Sequence, residues 1–496
     1  MPQLEVGSKI FATNENILVI APTGAGKTAI GELAVAKELM KYNKSKRKGP
    51  VAILLVPLKA ITSERIRIWE NRQHVKVAVV TAETTIGIND ILACDIVISV
   101  PEKIDSITRS PDSKLRKIFE SVRVLVVDEI HLLDMDGRGD ALEALITRFL
   151  SNSGKMSGIR IIALSATVPN FEDVADWLHV PSSCVFRYGD EFRPVKLETN
   201  VLSYHKGESL GEDRQRQDEI VLEQIDIFLK NKRQAIVFVN SRKGCEKLAK
   251  KIVNYWDRMG IHGEFVSAET LYLSKNLVSK SLSKVIFAGV GFHHAGLSRK
   301  DRGKIELAFI NGLCRVLIST TTLAWGVNLP ADAVIVRDVE IYDSLKGKML
   351  IGAIDLQQML GRAGRPGYSR GIGYGLVIAP QEASSTVKKL IIGDSEINSR
   401  LPENLKEHLL AEIVRGAILS TDDAINWLKQ TYYYLRLKRT EKDPFSLIKG
   451  LKEKNLEYLL SSGFITSKKG ILKASSFGKL STRYYLRLET AKRFSN

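Results

Sequence analysis

A chain of 496 residues is too long for one hydrophobic core, and its 44% hydrophobic and 26% charged residues exclude a disordered polymer, so about three globular domains are expected. Lys and Arg number 73 against 56 acids, a formal charge of +17 that would draw a polyanion, nucleic acid first among them. The same surplus also suits a solvated basic surface, and charge does not separate the two.

From the N-terminus, short β-branched runs bounded by turn residues alternate with helical stretches. The runs fall at 17–20, 51–56, 95–99, 122–127 and 159–164, which predicts a parallel α/β sheet. After a hydrophilic stretch around 206–218 the pattern restarts at 235–239, 315–318, 333–336 and 375–378, which predicts a second α/β lobe. Beyond about Gly393 the strands fade, and Leu409, Ile413, Ala417 with Ala424, Trp427 and Leu428 fall at helical spacing. Residues 456–460, 463–465, 467–470 and 471–472 then read as helix, strand, turn and strand, the pattern of a winged helix. Four cysteines, Cys94, Cys184, Cys245 and Cys314, form no CxxC pair, which argues against a disulfide framework and a zinc site. The apolar runs are strand length and the N-terminus has no export pattern, so an intracellular, cytoplasmic protein without a membrane partner is expected.

The first run leads into Ala21-Pro22-Thr23-Gly24-Ala25-Gly26-Lys27-Thr28 and then an apolar-periodic helix. Strand, glycine loop and helix are the setting of a P-loop, in which backbone amides and a helix N-terminus close on phosphates. Thr23, Gly24, Ala25 and Gly26 would cradle ATP, Lys27 would hold its β/γ-phosphates, and Thr28 would coordinate Mg²⁺. Ala21 replaces the first glycine of the strict pattern. The run 122–127 ends in Asp128-Glu129-Ile130-His131, carboxylates where α/β sheets place ligand chemistry. Alone they could cap a helix. Beside a P-loop, Asp128 would hold the Mg²⁺ shell and Glu129 would orient and deprotonate the attacking water.

These residues resemble the DExH motif II of superfamily 2 helicases, and further motifs follow in order. Ser165-Ala166-Thr167 is similar to motif III, which implies that Ser165 and Thr167 couple hydrolysis to lobe closure. The run from Gln358 to Arg365 resembles motif VI, which implies catalytic roles for Gln358 and arginine fingers at Arg362 and Arg365. Phe192-Arg193-Pro194-Val195, His293-His294-Ala295-Gly296-Leu297 and the run 322–330 with Trp325 point to the SKI-like branch. Within it they resemble the group of the spliceosomal snRNA-unwinding, meiotic crossover and alkylation-repair-complex helicases. The resemblance adds Gln3 as an adenine contact, with Gly326 and Asn328 at the nucleotide. The family carries a further segment before this glutamine, whereas here the chain starts almost on it.

The resemblance also implies a strand path. On the first lobe Lys59 (motif Ia) and Pro101, Lys103 and Arg109 (motif Ib) would hold phosphates. Val100 and Ala82-Glu83 depart from the family pattern there. On the second lobe Ser241 and Arg242 (motif IV) and Thr320 and Thr322 (motif V) would grip from the other side. His293 and His294 find no Cys, Asp or Glu at ligand spacing, so a structural loop is expected rather than a metal site. Residues 334–351 can form a hairpin with a glycine-containing tip; in relatives such a hairpin splits the duplex, which implies strand separation by Tyr342, Leu345 and Lys346.

The expected architecture is therefore two tandem RecA-like P-loop domains with parallel sheets (1–190 and 191–392), a winged-helix domain (393–480) and the start of a helical ratchet (481–496), where Thr482, Tyr484 and Tyr485 resemble its opening and most of it is lacking. The expected function is ATP- and Mg²⁺-dependent unwinding by a monomer that travels 3′→5′ on single-stranded DNA or RNA beside a duplex. A nucleic-acid-binding scaffold with a vestigial ATPase is the alternative, and a P-loop ATPase acting on proteins is disfavoured by charge and strand motifs.

Overall fold

A computed structural model describes residues 2–41, 49–57, 69, 75–81, 84, 87–109, 121–153, 159–261, 266–321, 323–324, 329–343, 347–364, 371–393 and 396–495. The chain divides into two compact units. One comprises Met1–Ala21, Gly26–Tyr188 and Glu396–Asn496; the other comprises Pro22–Ala25 and Gly189–Ser395.

The first unit is built on seven parallel strands: β1 (Ile17–Ile20), β2 (Ala52–Leu55), β3 (Val77–Val80), β4 (Ile96–Ser99), β5 (Val124–Val127), β6 (Arg160–Ser165) and β7 (Val185–Arg187). Their spatial order is β3-β4-β2-β5-β6-β1-β7. Strands β1, β2, β4, β5 and β6 are buried throughout, which is why they read as continuous apolar runs rather than alternating ones. Helix Lys27–Lys41 crosses β5 and β6 at Gly31, where a Cβ would come within 2.7 Å of Val126 Cγ1. The order places β5, β6 and β1 side by side, so the loops after all three share one sheet edge.

The second unit carries six parallel strands: β8 (Lys196–Tyr204), β9 (Ala235–Phe238), β10 (Val290–His293), β11 (Val316–Ser319), β12 (Ala333–Val336) and, past a hairpin, β15 (Ile372–Pro380), in the order β10-β11-β9-β12-β15-β8. The pattern restarts earlier than expected. Strand β8 pairs with β15 along its whole length, from Lys196 against Ile372 to Tyr204 against Pro380, but it is an edge strand with mostly exposed residues and so has no apolar run. Most of the hydrophilic stretch that follows is helix Leu210–Lys230. The stretch expected as one hairpin also divides. Val334 belongs to β12 of the sheet, and the hairpin is β13 (Glu340–Asp343) against β14 (Gly347–Leu350), with Tyr342 opposite Lys348.

Residues 396–495 form helices Leu405–Arg415, Thr421–Leu428, Tyr432–Thr440, Pro444–Ser461, Ser476–Arg483 and Leu488–Ser495, and the wing β16 (Ile465–Lys468) with β17 (Ile471–Ala474). The turn between the wing strands uses left-handed Lys469 and Gly470, the conformation that a two-residue hairpin turn demands. The expected helical stripe from Leu409 to Ala417 is cut at Gly416, whose left-handed φ of 74° caps the first helix, so Ala417 lies outside it. Leu409, Leu410, Ile413, Ile448, Leu459 and Phe464 form its core, joined by Ala144 of helix Gly139–Ser153. Among the described residues no helix is long and apolar enough to cross a membrane.

Candidate nucleotide and strand site

The loop after β1 is shaped for phosphate before any ligand is considered. Gly24 and Gly26 have φ of +89° and +81°, a conformation that turns successive amides inward and that L side chains rarely adopt. A Cβ on Gly24 would meet nothing within 4 Å, so the cradle is open above it. Lys27 is buried and its ammonium donates to the Ala21 carbonyl at 2.8 Å, which folds the side chain back along the loop. Thr23 and Thr28 are half-buried and Ala25 is buried. A Cβ on Gly26 would collide with the Gln3 amide, so the glutamine expected to read adenine does lie beside the P-loop.

The next two strand ends add the acids and a relay. The Asp128 amide donates to the Leu55 carbonyl at 2.9 Å, continuing the sheet past β5 and holding the buried carboxylate at its carboxyl end. Glu129 adopts a left-handed φ of 60°, a strained conformation for a residue with a side chain and one that recurs at functional sites. From β6, the Ser165 carbonyl accepts from Ala21 at 3.1 Å, tying the loop expected to couple hydrolysis to the start of the P-loop. Thr167 is half-buried two residues on.

His131 joins motifs II and III. Its Nδ1 accepts from the Ala166 amide at 3.2 Å and lies 3.4 Å from Ser165 Oγ. Burial pulls its imidazole below the ordinary value, against the opposing pull of Glu129, so the ring is neutral with Nδ1 free to accept. Reading the motif as two carboxylates overlooks this role. The signal was the histidine itself, a polar residue directly after an acid pair and before an apolar turn.

This donor set fits ATP with Mg²⁺. Left-handed glycine amides and a lysine suit phosphate oxygens, and one hydroxyl with one carboxylate is the small set that magnesium takes when phosphates supply the remainder. Among the described residues no cluster of three or more His, Cys, Asp or Glu forms a separate metal cage.

On the strand path, Pro101 opens helix Pro101–Thr108 with Lys103 half-buried in its first turn. Arg109 is a correction. It turns inward and is buried, 2.7 Å from Asp105 Oδ2 and 2.9 Å from His408 Nδ1, with its guanidinium 4.4 Å over the Tyr485 ring. A guanidinium so engaged holds protein to protein and does not reach a phosphate. In the second unit, Ser241 caps helix Arg242–Met259 by accepting from the Gly244 amide at 3.0 Å, and both Ser241 and Arg242 are exposed at that helix's N-terminus. Thr320 is half-buried at the end of β11. Gln358 and Arg362 are both buried, and Arg362 donates to the Ala324 carbonyl of the motif V segment. Tyr342 stands 83% exposed on the hairpin. Lys59, Thr322, Gly326, Asn328, Leu345, Lys346 and Arg365 lie outside the described residues.

His293 ends β10 and is buried, with Nε2 2.8 Å from Glu306, while His294 stacks on Phe292 near Glu246. Sequence spacing hid both glutamates, which arrive from neighbouring helices.

Residues 2–174 match the DEAD/DEAH box helicase family, 217–367 the helicase conserved C-terminal domain, and 398–474 a winged helix-turn-helix domain. The chain is 34% identical to the RQC trigger complex helicase SLH1 of Saccharomyces cerevisiae, over 88% of this chain and 23% of that one. It is 33% identical to the ATP-dependent DNA helicase homolog MER3 of Arabidopsis thaliana, over 98% and 46% respectively. With the U5 small nuclear ribonucleoprotein 200 kDa helicase of Homo sapiens the identity is 34%, over 97% and 24%. The chain thus spans less than half the length of each of these relatives.

Proposed function

Since this chain belongs to the SKI-like, DExH branch of the superfamily 2 helicases, we propose that it couples ATP hydrolysis to movement along a nucleic-acid strand and to unwinding of the adjoining duplex. The observation that carries this reading is the convergence of P-loop, acid pair and motif III loop at the ends of three adjacent strands, β1, β5 and β6. One edge thereby holds a phosphate cradle, a base for water and a relay that can report its state.

In the proposed cycle Gln3 selects adenine, the P-loop amides and Lys27 hold the phosphates, and Thr28 with Asp128 would hold Mg²⁺. That ion, when bound, supplies charge neutralisation on the transferring phosphoryl group. Glu129 takes the proton of the attacking water, and Arg362 and Arg365 stabilise the developing charge when the second lobe closes. His131 passes the change to Ser165 and Thr167. Lys59, Pro101 and Lys103 grip the strand from one lobe and Ser241, Arg242, Thr320 and Thr322 from the other, so that each closure shifts it one step, 3′→5′ on the loading strand. The hairpin bearing Tyr342 divides the duplex.

Intact Lys27, Asp128 and Glu129 weigh against a scaffold with a vestigial ATPase. The four free cysteines suit work in a reducing, intracellular compartment. Relatives named for DNA and for a small nuclear ribonucleoprotein support nucleic acid as the substrate class. Matched DNA and RNA duplexes with 3′ or 5′ tails test the proposal. Unwinding of a 3′-tailed duplex with ATP, and not of its 5′-tailed twin, is expected; binding of every duplex without unwinding any would overturn it.

A further inference from the structure

Helix Pro2–Ala12 carries Gln3 at its start and ends at Ala12-Thr13-Asn14, without the glycine that usually closes a helix. Its last carbonyls need donors, and two buried cations supply them. The Lys37 ammonium, 5% exposed, donates to the carbonyls of Ile10 at 2.7 Å and Thr13 at 2.5 Å and to Asn14 Oδ1 at 3.0 Å. Arg160, 3% exposed, donates from Nη1 to the same Ile10 carbonyl at 3.0 Å and from Nε to the Glu15 carbonyl at 2.7 Å. Both positive charges sit at the negative end of the helix dipole. The other end is tied as well, where Tyr188 Oη donates to Glu5 at 2.9 Å.

Lys37 belongs to the helix that follows the P-loop, and Arg160 opens the strand beside β1. The clamp therefore fixes the glutamine's helix to the two elements that frame the phosphate cradle. The two like charges meet only at the Ile10 carbonyl, and each also satisfies a carbonyl of its own, Thr13 for Lys37 and Glu15 for Arg160.

We infer that Lys37 and Arg160 are positioning residues for nucleobase selection, holding helix Pro2–Ala12 so that Gln3 stays in register with the P-loop. This rests on the proposed reading of Gln3 as the adenine contact. The clamp acts on the base and leaves the phosphate site alone.

Equilibrium binding of fluorescent ADP and GDP analogues to the full chain tests this without any turnover. Gln3→Ala is expected to erase the preference for ADP. Lys37→Met, which removes every hydrogen bond of the ammonium to Ile10, Thr13 and Asn14, is expected to weaken ADP binding by about tenfold, with GDP binding unchanged within about twofold and faster amide exchange over residues 2–12. Lys37→Arg should restore most of the preference. Should Lys37→Met fail to fold, Tyr188→Phe cuts the clamp at its other end and should weaken ADP alone by about threefold. If Gln3→Ala erases the preference while a folded Lys37→Met or Tyr188→Phe retains it, the clamp is structural only and the inference falls. If Gln3→Ala retains the preference, the adenine reading falls and takes this inference with it. Equal losses for ADP and GDP in Lys37→Met would place the damage in the P-loop and also overturn it.

Discussion

The carboxyl end of the first sheet and the seam along helix Gly139–Ser153 are made of opposite materials. At the sheet end the working groups are backbone amides on left-handed glycines, one lysine and two acids, set above fully buried aliphatic strands. Along the seam the first lobe meets the winged-helix region through buried charge. Arg148 lies 2.5 Å from Asp105 and is also paired with Glu412, which Arg415 reaches at 2.8 Å. His408 accepts from Arg109 and donates from Nε2 to Asp140 at 3.0 Å, Tyr485 donates to Asp105 at 2.7 Å, and Asn170 binds both Ile397 and Tyr432. Burial alone would raise the Asp105 carboxyl, but the Arg109 and Arg148 guanidinium groups hold it well below the usual range. The sheet end gathers its polar groups around an open glycine loop, whereas the seam buries opposite charges against one another. A lysine at one edge and an arginine at the other therefore answer to different measurements.

Breaking the seam should produce the largest effect on stability. Arg148→Met leaves Asp105 and Glu412 buried without their shared cation and is expected to cost about 3–5 kcal/mol in denaturant unfolding, while Lys27→Met should leave the unfolding midpoint nearly unchanged and abolish nucleotide binding. Equal stability losses would erase the contrast. Glu143 sharpens it. Its carboxyl meets Ser399 Oγ at 2.6 Å and the Tyr433 amide at 2.8 Å, and burial pushes it up to about 7. The folded form therefore binds the proton more tightly than the unfolded one. Stability contributed by the protonated acid is full below about 4.5 and is lost as pH rises through about 7, on the order of 3 kcal/mol in all. Unfolding of Glu143→Gln should lack that slope between pH 5 and 8, and an unaltered slope would count against it. The smallest effect separates Lys103, in helix Pro101–Thr108, from Arg109, which caps that helix. Lys103→Ala should weaken strand binding by about fivefold and lower the salt slope by about one, with stability intact, whereas Arg109→Gln should destabilise first.

How much of this was legible in the sequence follows the same division. Strands buried on both faces announce themselves as apolar runs, so β1, β2, β4 and β5 were visible, and the glycine pattern and acid pair after β1 and β5 carry their own chemistry. Strand β8 was not visible, because an exposed edge strand such as 196–204 has no reason to be apolar. Arg109 misled for a related reason. An arginine near a strand-binding motif reads as a phosphate ligand, yet the Asp105 one helical turn earlier was a local sign of an internal pair, and His408, 299 residues away, had no sign at all. The histidine of motif II belongs between these cases. Its type was noticeable, but its partner at Ala166 lies 35 residues on and emerges only when β5 and β6 stand side by side.

The central claim is that strand contact drives hydrolysis at the P-loop edge, and ATP turnover measured with and without single-stranded DNA and RNA tests it most directly. The intact chain should be stimulated at least about tenfold by one of them, and Glu129→Gln should lose about 10²–10⁴-fold of that turnover while binding ATP normally. Turnover indifferent to both nucleic acids, or undiminished in Glu129→Gln, would contradict it.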